Sequence, residues 1–205
     1  MVDPLNYGYL VAYRARAQAE GQEPDLEVLL VRRPYFNWVT GFPSEFPGEC
    51  MFPGGKFHPS DYVRNQPLLL QTAIRYFHSQ LHYSGALLRP SYLPSHEETV
   101  YDEFRLSHFF AVHVSNLPDT PDSQRPGFSL PYKWMKPQDA LDFALSQGLY
   151  EGFAKRQLAT FQELGLGASS FGTARVTERV VSPATIKILE YLSDHPKIYP
   201  IELPE

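Results

Sequence analysis

The chain has 205 residues, 43% of them hydrophobic and 20% charged, which suits one globular domain with a substantial core and argues against two large ones. A formal net charge of −5 gives no global attraction for nucleic acid, so no nucleic-acid partner is expected. The single cysteine, Cys50, excludes an intrachain disulfide and a thiolate-rich metal centre, and its ordinary role is that of a small buried apolar residue.

The N-terminal MVDPLNYGYLVAYRARA lacks a basic leader followed by an apolar run, and no window approaches the ~20 apolar residues of a membrane span. A soluble, cytoplasmic protein is expected, with no membrane partner. Tyr7 to Ala15 and Glu27 to Arg32 are β-rich runs, and the Gly and Pro of RAQAEGQEPD between them supply turn chemistry, so the two form a hairpin. From Arg33 to Glu49 the chain is too broken by Pro and Gly for a regular element, and Tyr35, Phe36, Trp38, Phe42 and Phe46 suggest an aromatic rim beside a cleft. Pro67 opens a helix in which Leu70, Ile74, Phe77 and Leu81 recur on one face. At about 100° per residue, Tyr76, Ser79 and Gln80 fall together on a different face.

A loop containing PSHEETVYDE follows, then a strand at Leu106 to Val114, a polar Pro-rich loop, and a short strand ending at Lys133 to Met135. A helix runs from Lys136 to about Gln147, and two more are expected at Tyr150 to Leu164 and Pro183 to Ser193. The last has Ser182 as N-cap and Pro183 at its first position. The final HPKIYPIELPE reads as extended, a tail or the start of a linker.

The order strand, strand, Gly-Gly loop, helix, strand, then C-terminal helices, with FPGGK at the loop, resembles the Nudix family. The family box runs Gly, five residues, Glu, seven residues, then Arg-Glu-apolar-x-Glu-Glu-x-Gly-apolar. On this chain Gly55 opens the box, Asp61 takes the first Glu position, a spacer of thirteen residues follows, and Arg75 takes the Arg position. Such a spacer is similar to that of the peroxisomal coenzyme A diphosphatase-like branch, and so are KWMKPQDALDFALSQG and the Pro183-led final helix. The resemblance implies a single Nudix-like α/β/α sandwich over 1–205, with a mixed sheet, a core over about 1–148 and a C-terminal helical extension over about 149–205.

The departures from the box bear on chemistry. The three glutamates that follow the family Arg fall on Tyr76, Ser79 and Gln80, and the family Gly falls on His82. In active members those glutamates hold Mg²⁺ or Mn²⁺ beside a pyrophosphate, and a hard cation needs charged oxygen ligands that Ser, Gln and Tyr do not supply. The expectation is therefore a degenerate box with no cofactor and no confident catalytic residue. Retained elements have structural explanations: Gly54 and Gly55 admit backbone geometry that a side chain would obstruct, and Arg75 braces the segment. Backbone amides beside a cleft also suit a phosphate without a metal, which makes Gly54, Gly55, Lys56, Arg75 and Tyr76 the expected ligand-binding residues.

Three arrangements could restore an active site, each with a plainer alternative. Asp61 with Glu97, Glu98 or Glu103 rebuilds a Mg²⁺ or Mn²⁺ site, against a solvated acidic loop. His78 and His82 share the i, i+4 spacing of a zinc protease pair, against ordinary surface or core histidines. Cys50 with a histidine makes a nucleophile pair, and ranks last. The resulting expectation is a ligand-binding module for a nucleotide or coenzyme A-like molecule, or a protein-interaction or homodimerising domain. The alternative is an active hydrolase of coenzyme A-type or nucleoside-diphosphate-linked substrates that uses relocated carboxylates.

Overall fold

The computed structural model describes residues 5–16, 25–33, 46, 48–58, 68–85, 87–100, 103–119, 132–145 and 181–195. Asp61, the aromatic residues Tyr35, Phe36, Trp38 and Phe42, the helix expected at Tyr150 to Leu164 and the C-terminal tail lie outside the described residues.

Among the described residues seven strands form one mixed sheet: β1 (Leu5–Arg16), β2 (Asp25–Arg32), β3 (Cys50–Met51), β4 (Gly54–Lys56), β5 (Leu88–Val100), β6 (Glu103–His113) and β7 (Tyr132–Met135). Their order is β3-β2-β1-β6-β5, with β4 beside β1 and β7 beside β2. β1 and β2 form the expected antiparallel hairpin, pairing Tyr13 with Val28, whereas β1 and β6 run parallel from Leu5 opposite Arg105 to Tyr13 opposite His113. On its other edge β1 serves two partners, β4 at Tyr7 to Tyr9 and β2 from Tyr13 onward.

Because strand side chains alternate between faces, the apolar residues of β1, β2 and β6 divide into two sets. Leu10, Ala12, Leu29, Val31, Phe110 and Val112 pack with Leu70, Ala73, Phe77 and Leu81 of helix α1 (Leu68–Leu81). Val11, Val28, Leu30, Phe109 and Ala111 pack with Ala140 of α2 (Pro137–Leu145) and with Ala184, Ile188, Leu189 and Leu192 of α3 (Pro183–Asp194). Helices thus cover both faces, the expected α/β/α sandwich, and the sheet is buried on both sides. The predicted stripe of α1 is the one that faces the core, with Ile74 half-buried at its margin. α1 lies so close to β1 that a Cβ on Gly8 would come within 2.3 Å of the Leu69 carbonyl oxygen. Ser182 caps α3 by accepting from the Thr185 N–H at 3.4 Å, with Pro183 in the first turn as predicted.

Three expectations are corrected by the structure. The segment read as an acidic loop, PSHEETVYDE, is mostly β5, which pairs antiparallel with β6. Its prolines obscured it: among the described residues β5 is an edge strand that pairs only with β6, and its register shifts fall between Leu88 and Ser91 and between Leu93 and His96, around Pro90 and Pro94. Likewise FPGGK is not simply a loop, because Gly54 to Lys56 pair with β1. Phe46, placed on the aromatic rim, is buried, with the Arg33 guanidinium 5.8 Å from its ring centroid. No helix among the described residues is long and apolar enough to cross a membrane.

Candidate functional site

The site grows from β4 and the second half of α1. The Gly54 N–H donates to Gln80 Oε1 at 3.1 Å, and Gln80 Nε2 donates back to the Gly54 carbonyl oxygen at 3.1 Å. This reciprocal pair needs a side chain that both donates and accepts, which an amide does and an ionised carboxylate does not. Tyr76, one turn earlier, lays its ring over Gly55, where a Cβ would meet the ring at 2.4 Å. A Cβ on Gly54 would in turn lie 2.3 Å from the Gly8 carbonyl oxygen and 2.5 Å from the Tyr9 ring. Close approach to backbone therefore demands glycine at Gly54, whereas at Gly55 the obstacle is the tip of the Tyr76 side chain; among the described residues a positive-φ glycine occurs only at Gly48.

The remaining box residues complete this helix edge. Arg75 is exposed, its guanidinium 4.3 Å from the Tyr76 ring centroid, a cation–π geometry. Ser79 is exposed and donates its hydroxyl to the Tyr76 carbonyl at 3.1 Å. Lys56 is exposed at the end of β4. His78 Nδ1 is hydrogen-bonded to the Tyr83 carbonyl, and its ring stacks on Tyr83. His82 lies past the end of α1 with φ 50°, so the i, i+4 histidine pair spans the helix end rather than one helical face.

Of the acidic residues proposed as a relocated site, Glu97 and Glu98 lie on β5 and Glu103 opens β6. Glu97 and Glu98 are adjacent in β5, opposite Leu106 and Arg105, and adjacent strand residues point to opposite faces. Glu103 accepts from Arg105 Nη2 at 2.8 Å. Among the described residues no three His, Cys, Asp or Glu side chains come together as a metal-holding group.

A charged network beside β4 was missed by the sequence reading. Glu49, 1% exposed, accepts from Arg33 at 3.0 Å to Nη2 and 3.1 Å to Nε. Tyr9, which touches Gly54, has its phenol pushed well above the usual tyrosine range by burial, with Arg33 working against this and Glu49, Tyr7 and Glu98 adding to it. The one available cue was a lone Glu between Pro-Gly and the apolar run CMFP.

No family model matches the chain, and no curated protein is significantly similar to it. Solved structures are similar. A NUDIX hydrolase from Alicyclobacillus acidocaldarius superposes with a TM-score of 0.55 at 17% identity, over 96% of this chain and 94% of that one. The chain has the Nudix fold. A mutT/nudix family protein from Listeria innocua gives a TM-score of 0.48 at 16% identity, over 81% of this chain and 100% of that one. The NUDIX domain of Shewanella oneidensis NrtR complexed with ADP ribose gives 0.46 at 17%, over 69% and 79%. At 17% identity the likeness to the Alicyclobacillus acidocaldarius structure establishes architecture alone. Within the Nudix fold, Gly54, Gly55, Tyr76 and Gln80 form one contiguous patch, whereas Glu97, Glu98 and Glu103 stand on β5 and β6.

Proposed function

We propose that this chain is a Nudix-fold domain that no longer performs metal-dependent pyrophosphohydrolysis and serves as a binding module, for a nucleotide or coenzyme A-like molecule or for a protein partner, a second copy included. The observation that carries this reading is the double hydrogen bond between Gln80 and Gly54. Where the resembled box has a metal-holding glutamate, this amide is occupied in fastening α1 to β4. Tyr76 fills the space over Gly55 from a second box position.

The donor set does not fit a catalytic Mg²⁺ or Mn²⁺: Tyr76, Ser79 and Gln80 are neutral, and a hard cation requires charged oxygens. A metal acting as Lewis acid is worth several kcal/mol, so its loss costs on the order of a thousandfold in rate. What remains suits binding. Lys56, Arg75 and Tyr76 offer two cationic side chains and an aromatic ring, whereas the Gly54 N–H and carbonyl, expected to meet a ligand, are already engaged by Gln80 and Gly55 lies under Tyr76. KWMKPQDAL and the Pro183-led helix support the coenzyme A diphosphatase-like branch as the origin of the domain. The cytoplasm suits a single Cys50, whose thiol is pushed up by burial, with Arg32 working the other way.

The test is incubation of the full chain with coenzyme A or ADP-ribose and Mn²⁺, following binding by calorimetry and product by chromatography. Binding without turnover is expected, with affinity altered by Tyr76→Ala and indifferent to chelator. Release of a phosphorylated product that stops with chelator would instead establish the hydrolase with relocated carboxylates, drawn from Asp61, Glu97, Glu98 and Glu103.

A further inference from the structure

On the α1 face of the sheet, three polar side chains from three neighbouring strands form one hydrogen-bonded line. Asn6 on β1 and His108 on β6 share the strand parity of Leu10 and Phe110, which pack against α1. Tyr92 on β5 places its hydroxyl 2.5 Å from His108 Nδ1, and His108 Nε2 lies 3.3 Å from Asn6 Oδ1. With the Asn6 carbonyl oxygen as acceptor, Nε2 carries the hydrogen and Nδ1 presents a lone pair to the phenol. The order hydroxyl, imidazole, amide matches the Cys-His-Asn constellation of papain-like proteases, with a phenol in place of the thiol.

The sheet is irregular at this point. Pairing passes from Leu93 opposite Phe109 to His96 opposite Ser107, so Pro94 and Ser95 together face His108. Such a bulge re-aims side chains, and the Ser95 side chain hydrogen-bonds the Tyr92 phenol. Tyr92 is 58% exposed while its ring rests edge-on against Phe110, so the oxygen is reachable although the ring is held. Burial lowers the His108 pKa, leaving the imidazole neutral and able to accept a proton near neutral pH. Burial raises that of Tyr92, against which Ser95 works, so the phenol keeps its proton at rest.

We propose that Tyr92 is a nucleophile, with His108 as its base and Asn6 as the group that orients the base, at a metal-independent site that takes the acyl group of an activated ester. In the step, the Tyr92 oxygen forms a bond to the ester carbonyl carbon while the phenolic proton passes to His108 Nδ1. The bond from that carbon to the leaving oxygen then breaks, and the proton returns to the departing alcohol, leaving an acyl-tyrosine and a neutral imidazole.

The probe is p-nitrophenyl acetate applied to the full chain, with acetylation of Tyr92 timed by peptide mass mapping. Tyr92 is expected to acetylate at least about tenfold faster than N-acetyltyrosinamide under the same conditions. His108→Gln is expected to slow it about a hundredfold, the lower range for general-base assistance. Asn6→Ala, which keeps the base, is expected to slow it by a smaller factor, and thermal melting of both variants reports that the fold is kept. Acetylation no faster than the model amide, or unchanged by His108→Gln, would overturn the assignment.

Discussion

His82 stands where the resembled box has glycine, one residue past the end of α1, in the left-handed region with φ 50°. An L-residue there pays about 1–2 kcal/mol in backbone strain, partly offset because glycine loses more conformational freedom on folding. His82→Gly is therefore expected to raise stability by roughly 0.5–1 kcal/mol in urea titration. Gln80 makes the opposite case. Gln80→Glu keeps the shape but replaces an N–H donor by a carboxylate oxygen facing the Gly54 carbonyl, at a cost of about 1–3 kcal/mol at neutral pH. That repulsion raises the carboxyl above its unfolded value near about 4.3. The loss is therefore complete above the folded pKa and fades as pH falls toward the unfolded one, where a protonated Glu again donates. Urea titrations at several pH values should show the variant approaching wild type in acid, and a pH-independent deficit would contradict the reciprocal-pair account.

Elements were legible where a local rule agreed with the tertiary role. The period of Leu70, Phe77 and Leu81 found α1, and Ser182 with Pro183 found α3 to within one residue at its end. That cap is accordingly expected to matter: Ser182→Ala should cost about 0.5–1 kcal/mol in the same titration, toward the low end because the Oγ to Thr185 N distance is 3.4 Å. β5 was hidden because Pro90 and Pro94 are tolerated only on a strand whose outer edge is unpaired, a property of sheet order rather than of sequence. β3 and β4 were hidden because two- and three-residue strands carry no periodicity. Helix geometry placed Tyr76 and Gln80 on one face, but their meeting with β4 was hidden with that strand. The pairing of Arg33 with Glu49 was hidden too, since they lie 16 residues apart across a segment without pattern.

For the whole molecule, the proposed reading is a Nudix fold kept while its metal chemistry is exchanged for packing. Two helical layers and the mixed sheet are fixed by cores that do not involve the box face of α1. Tyr76 and Gln80 then bind that face to β4 with neutral contacts in place of a charged cluster. Glu97 and Glu98, on opposite faces of an edge strand, are poorly arranged to replace it together. The decisive measurement is a Mn²⁺ titration followed by electron paramagnetic resonance, comparing wild type with an Asp61→Asn, Glu97→Gln, Glu98→Gln variant, with and without ADP or coenzyme A. The account predicts no specific Mn²⁺ binding by either protein under either condition. Tight binding by wild type that is lost in the variant would contradict it and establish a relocated carboxylate site.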